Sequence, residues 1–482
     1  MVLTEVNERQ SCASIHPPIH TAMTKSFLLT GLLALSFASA VVAKSPEAVA
    51  REAYLANFQP AKAPKQSGPY LKAGDRLAII GDSITEQKMY SRILETYLTV
   101  CTPELKITAR QYGWGGERVP GFLARMTNDC LRFKPTVATT CYGMNDHEYR
   151  KYEDRIGNTY SNKSLTMVQS FKANGVRLVL GSPGCVGRMP TWVKGTNGVV
   201  DDLNINLCTL RNIDVALAQK EGVRFADVFW PMLTAGYDAQ QRYGSDYAIA
   251  GKDGVHPAWA GQTVMAYAFL KGLGVSGDLG TFTVDAKADK MKVSKGHELI
   301  GGKNGEFLIK SMRYPFCATN ESLKSDNSIR SAMGLIPFNE DLNRFLLVVK
   351  RPQAKSYAVT WGESSKTFTS EQLGKGVNLA AEFAINPFWD AFNKVDSAVK
   401  AKQDYETKQI KQIFHDLRSS KYKSAEDVKD PEMKELFALR GADGKLDMEA
   451  LAAATERKRA PLAEAIQTAF VPVTHTLRIV AQ

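Results

Sequence analysis

A three-layer α/β sandwich, built on a five-stranded and mostly parallel sheet, is the fold this sequence predicts for its first half. Two observations carry the expectation. Five short apolar, β-branched runs recur between about residues 75 and 230, and segments of helical period lie between them. Continuous apolar runs of that length suit strands buried on both faces. Strict alternation of strand and helix implies right-handed crossovers and a parallel sheet. A third observation bounds the fold. After about residue 280 the texture changes to alternating runs and then to charged helical stretches, so β-rich and helical C-terminal segments are expected.

The elements follow in order. From Met23 the chain reads "MTKSFLLTGLLALSFASAVVAKSP". Lys25 supplies a positive start and Phe27 to Phe37 an apolar stretch too short to span a bilayer comfortably. Ala38-Ser39-Ala40 and Val41-Val42-Ala43 are small-residue cleavage patterns. We expect a signal peptide over 23–43, an upstream extension over 1–22, and an exported (periplasmic or secreted) protein. Strands are expected at Arg76–Ile80, Leu105–Tyr112, Thr136–Tyr142, Val176–Leu180 and Val223–Phe229. Met89, Ile93, Leu94, Tyr97 and Leu98 make a helical stripe, as do Val119, Phe122, Leu123 and Met126. Leu203, Leu207, Leu210, Ile213 and Leu217 make a third, and Trp259–Leu270 closes the domain. The expected boundaries are 44–280 for the α/β domain, 281–385 for an antiparallel β-rich segment and 386–482 for a helical one.

Composition excludes little but narrows the class. The 482 residues are 44% hydrophobic and 23% charged, with net charge +11, ordinary for a globular chain of two or three domains. The lysines are dispersed, and no basic run interleaves with aromatics. No nucleic-acid partner is expected, and no membrane span after the signal. Six cysteines follow the signal, with no CxxC or Cys/His cluster, so no metal is expected. Export permits disulfides. Cys185 and Cys208 flank the excursion after the fourth strand and are the expected pair, with Cys101 and Cys130 as a second.

The informative residues fall at the strand ends, where open parallel sheets bind ligands. "GDS" at 81–83 follows the first strand, "YGWGGERVPG" the second and "YGMNDHEY" the third. "DGVHPAW", with Asp253 and His256, precedes the closing helix. Alone, Ser83 reads equally well as a helix cap, Asn145 as a loop amide and His256-Pro257 as a helix start. Together they put Ser, Gly, Asn and Asp/His on one rim.

These four blocks, in this order, resemble the SGNH (GDSL) hydrolase family over about residues 75–275. The resemblance implies a flavodoxin-like sandwich and a serine esterase without metal or cofactor. It implies Ser83 as nucleophile, His256 as base and Asp253 as the acid that orients it. Backbone N–H of Ser83 and Gly116 and the Asn145 amide would form the oxyanion hole. Losing one such donor typically costs about 2.7–4 kcal/mol of transition-state stabilisation. Asp82 reads as a structural turn acid. The family commonly has Gly-Asp-Thr in its second block, where this chain has Gly116-Glu117-Arg118. Arg118 would pair with Glu117 or meet an acidic substrate group. Trp114 would stack on a sugar or sit in the core. His147 would shape the pocket, and "GSPGCVG" at 181–187 would line the same rim.

The expected reaction is hydrolysis of a short acyl ester, a small-molecule or carbohydrate acetate. Export, Trp114 and the lack of a long apolar stretch for an acyl groove favour it. A lipid or lysophospholipid esterase stays open, as does a non-catalytic carbohydrate-binding protein on a hydrolase scaffold.

Overall fold

The computed structural model describes residues 45–193, 198–318, 322–419, 421–441 and 443–482. The expected upstream extension and signal peptide lie outside these residues. Strands β1 (Arg76–Gly81), β2 (Thr108–Gln111), β3 (Val137–Cys141), β4 (Arg177–Gly181) and β5 (Arg224–Ala226) form one sheet in the order β2-β1-β3-β4-β5. Every pairing in it is parallel. The five expected strands are these five. Their side chains are buried on both faces because helices cover both. Tyr90–Val100 and Trp259–Gly272 pack with Ile79 and Val179. Val119–Arg125 and Asp154–Ala173 pack with Ile80 and Leu178. The sheet is thus the middle of three layers.

Beyond residue 277 the chain makes two further sheets. Strands β6 (Asp278–Asp285), β7 (Lys290–Val293), β10 (Arg344–Lys350) and β13 (Val377–Asn378) form one, in the order β13-β10-β6-β7. The other contains β8 (His297–Lys303), β9 (Glu306–Ser311), β11 (Ser356–Trp361), β12 (Ser364–Thr369) and β14 (Val473–Ala481), in the order β12-β11-β14-β9-β8. Two features differ from expectation. The β6–β10 pairing is parallel, and the supposedly helical tail ends in β14, which lies centrally between β11 and β9.

A chain of polar side chains locks β14 in. Trp361 Nε1–H donates to His475 Nδ1 (3.1 Å), and His475 pairs with Ser311 Oγ (2.9 Å). Ser311 pairs with His297 Nδ1 (2.8 Å), whose Nε2 reaches the Leu279 carbonyl (2.9 Å). This order of donors is satisfied throughout only if both imidazoles are neutral. Burial agrees, pushing His475 down to about 3 and His297 also down.

The helical segment runs as Trp389–Thr407, widens into a π-type helix over Lys408–Asp416, and returns through Pro431–Phe437 and Met448–Ala469. It packs along β2, the sheet edge. An edge strand exposes unpaired backbone groups, and here side chains pair them. Lys402 Nζ (2.5 Å) and Arg459 (3.0 Å) donate to the Ala109 carbonyl, and the Gln111 N–H donates to Glu406 (3.0 Å). Lys402 also pairs with Glu95 and Glu406, each at 2.8 Å, and Arg459 with Glu406 at 2.7 Å. Burial works against the Glu406 carboxylate, but Lys402, Arg459 and Arg110 outweigh it and hold it below the usual range.

The expected Cys185–Cys208 bridge is not formed, nor is Cys101–Cys130. All six of these later cysteines are buried free thiols. Cys208 faces the Gln59 backbone, and each thiol acts as a small apolar side chain in the core.

Lys402→Met should destabilise the protein by about 3–5 kcal/mol, because it leaves Glu95 and Glu406 buried without their shared cation. Urea unfolding measures it, and a loss below about 1 kcal/mol would mean that solvent already reaches the cluster.

Candidate active site

Strand β1 ends at Gly81, and Asp82 caps the short helix Ser83–Glu86 by accepting from the Ile84 amide (3.0 Å). That turn lifts Ser83 to the carboxyl edge of the sheet. The turn Asp253–His256 meets it from the far side. Ser83 Oγ–H lies 2.8 Å from His256 Nε2, and His256 Nδ1–H donates to Asp253 Oδ2 at 2.7 Å. The other Asp253 oxygen accepts from the Val255 and His256 amides, both at 2.9 Å. Burial pushes the Asp253 carboxyl up, but these amides and the imidazole outweigh it and keep it low. The acid therefore stays ionised where an imidazolium would form.

The three expected oxyanion donors follow the ends of β1, β2 and β3. The backbone amides of Ser83 and Gly116 make no hydrogen bond within the turns and caps. Gly116 has φ +72° with open space where a Cβ would stand, so its conformation rather than crowding calls for glycine. Gly113 is the crowded position, since a Cβ there would come 2.2 Å from the Glu86 amide. Asn145 Oδ1 accepts from Tyr149 (3.1 Å), and its Nδ2 donates to the Glu117 carbonyl (3.1 Å). Glu148 and Tyr149, just beyond, both have positive φ, a strained pair that closes this loop tightly.

Other expected site residues stand elsewhere. Arg118 does not pair with Glu117. It pairs with Glu148 (3.1 Å), because Glu117 turns inward to Arg125 (2.6 Å) and Tyr142 (2.6 Å). His147 is buried, bonded to the Met144 carbonyl, and burial pushes it down to about 4. It is a neutral core histidine and lines no cleft. Trp114 is half-buried beneath the C-terminal arm. Lys411 lies over its ring (5.3 Å), His415 meets it edge-on (5.0 Å), and Arg125 stands 5.1 Å away. Lys411 also pairs with Glu86 at 2.5 Å. Tyr142 and Met144, expected on the rim, are buried as well.

Sequence reasoning missed four residues around the site. Trp192, exposed, lies 5.8 Å from His256. Tyr149 orients Asn145. Lys411 and His415 reach the second block from more than 290 positions away. The stretch after the fourth strand carried the only signal, five residues before Trp192.

Residues 79–264 match the model of the GDSL-like Lipase/Acylhydrolase family. No curated protein matches the chain. The structure is similar to that of a gut microbial diltiazem-metabolizing enzyme, at 22% identity and TM-score 0.66, covering 86% of this chain and 100% of that one. That likeness extends beyond the α/β domain, so the C-terminal sheets and helices are part of a shared fold. An alpha/beta hydrolase enzyme from the metagenome of Lake Arreo, Spain, is 23% identical, with TM-score 0.34, covering 43% of this chain and 98% of its own. An acetylxylan esterase from Geobacillus stearothermophilus is 20% identical, with TM-score 0.35, covering 43% and 97%.

Burial lifts the Asp82 carboxyl from 3.8 to about 7, with Asp146 and Glu117 adding to it against the Ile84 amide. Between about pH 4 and 7 the folded chain keeps a proton that the unfolded chain releases. This contribution to stability is complete below pH 4 and lost as pH rises through 7. Asparagine keeps the cap without the charge. Asp82→Asn should therefore gain on the wild type by more than about 1 kcal/mol between pH 5 and pH 8. Urea midpoints at both pH values test this, and an unchanged difference would mean an ordinary carboxylate.

Proposed function

We propose, from the match of residues 79–264 to the model of the GDSL-like Lipase/Acylhydrolase family, a serine esterase that removes short acyl groups, above all acetate from carbohydrate. The observation that carries the reading is the relay from Ser83 through His256 to Asp253, at 2.8 and 2.7 Å.

The chemistry follows from those atoms. Ser83 Oγ attacks the ester carbonyl carbon while its proton passes to His256 Nε2. Asp253 holds the tautomer and stabilises the imidazolium. Negative charge on the carbonyl oxygen meets the amides of Ser83 and Gly116 and the Asn145 side chain. The intermediate collapses, and His256 gives its proton to the leaving alcohol oxygen. Water then repeats the sequence on the acyl-serine, releasing the acid and restoring Ser83.

Short acyl groups are favoured by the surroundings. The large apolar side chains of the blocks, Tyr142 and Met144 among them, belong to the core rather than to an open channel. Gly115, Gly116 and Arg118 are exposed and Asn145 is half-buried. The same reading includes export, supported by the Lys25 start, the apolar stretch and the small-residue sites before Lys44. No helix among the described residues is long and apolar enough to cross a membrane.

Ser83→Ala should abolish turnover of p-nitrophenyl acetate with the fold intact by circular dichroism. Wild-type turnover in the folded variant would sink the serine mechanism. Across p-nitrophenyl esters, kcat/KM should fall steeply from acetate to octanoate. A groove would add about 0.8 kcal/mol for each methylene it buries, so a steady rise with chain length would favour the lipid esterase.

A further inference from the structure

The proton that His256 releases goes to the leaving alcohol. A side chain that stands beside that imidazole is therefore placed to meet the alcohol. Trp192 stands there. Its ring centroid is 5.8 Å from that of His256 with the planes at 41°, and the residue is 48% exposed. A tryptophan left so far in water forfeits most of its burial unless a ligand covers it.

Its placement is built, not incidental. The excursion after β4 is tied to the base-bearing turn by Gly187 N–H donating to the Gly254 carbonyl (2.9 Å). Gly254 has φ +87°, and a Cβ there would come 2.3 Å from the Arg188 carbonyl, so the two loops touch backbone to backbone. Asn204, buried on the helix Val200–Glu221, clamps Val186 from both sides, accepting its N–H (2.8 Å) and donating to its carbonyl (2.9 Å). A turn closed by the Val193 amide on the Pro190 carbonyl (3.2 Å) then carries Trp192. The other tryptophan near the site, Trp114, is occupied by Lys411 and His415 and offers no free face of this kind.

We infer that Trp192 is a specificity-determining residue: a platform on which a ring-bearing leaving alcohol, a pyranose or an aryl ring, stacks while His256 protonates its oxygen. This rests on the serine-esterase reading above and adds the class of alcohol to it. Indole presents a flat apolar face, and the C–H face of a pyranose or an aromatic ring matches it. An open-chain alcohol has no such face to offer.

The test uses the full chain with Trp192→Ala and Trp192→Phe on three acetates: ethyl acetate, phenyl acetate and a methyl tetra-O-acetyl-glucopyranoside. Each variant is compared with wild type on the same substrate, which cancels differences in leaving-group reactivity. The alanine variant should raise KM on at least one ring substrate about tenfold, equal to about 1.4 kcal/mol, while ethyl acetate stays within about twofold. The ring that loses most identifies the alcohol, and phenylalanine should restore most of the loss. Retained ethyl acetate turnover also shows that the variant is folded. Equal losses on all three esters, or none on either ring, would overturn the platform. Failure of the esterase reading shows separately, as ethyl acetate turnover that survives Ser83→Ala.

Discussion

The free edge of the parallel sheet is the constraint on which the rest of this structure turns. Strand β2 has β1 on one side and no strand on the other. Its outward Ala109 carbonyl and Gln111 amide need partners that no neighbouring strand supplies. Lys402, Arg459 and Glu406 provide them from helices 293 to 350 residues later. The charges can be buried because each has its opposite within 3 Å and a backbone group to complete it. Removing Lys402 alone would leave Glu95 buried without its cation and Glu406 with Arg459 only.

That seating passes directly to the site. Gln111 donates to Thr407 (3.0 Å) and accepts from the Gly113 amide, so the end of β2 joins the arm to the glycine-rich loop. One helical turn further, the π-type stretch brings Lys411 to Glu86 and His415 to Trp114. Such widened turns shift the register of the side chains that follow. Here the shift lies over the loop that carries Gly116. The C-terminal half is therefore part of the wall behind the candidate oxyanion donors. The likeness to a solved structure over 86% of this chain fits a fold in which the two halves are built together.

The site itself separates charge by depth. Asp253 is kept ionised by two amides and an imidazole at the rim, while Asp82 and Asp146, deeper in, are pushed up to about 7 and about 6 by burial. The deep carboxyls cap backbone amides of the turns that present Ser83 and Asn145. The shallow one faces the base. Three aspartates in one family pattern thus do two jobs, set by solvation.

Much of this was legible in the order of residues. The five strands showed as apolar runs because a strand covered on both faces must be apolar throughout. The four polar blocks showed because each follows its strand directly, and short-range turn chemistry is written locally. Ser83, His256 and Asp253, far apart in the chain, stand within hydrogen-bond distance of one another. What tertiary structure alone decided were the partners. Arg118 takes Glu148 because Glu117 turns inward to Arg125. Trp114 is covered by an arm from residue 411 onward, and Trp192 takes the exposed place beside His256. Cys185 and Cys208 share a core yet stay thiols, and β14 leaves a helical tail to pair with β9 and β11. Local order specifies what each segment can be, through periodicity and turn chemistry. Which distant side chain meets it depends on how separately folded layers close on one another, and no short window of sequence contains that geometry.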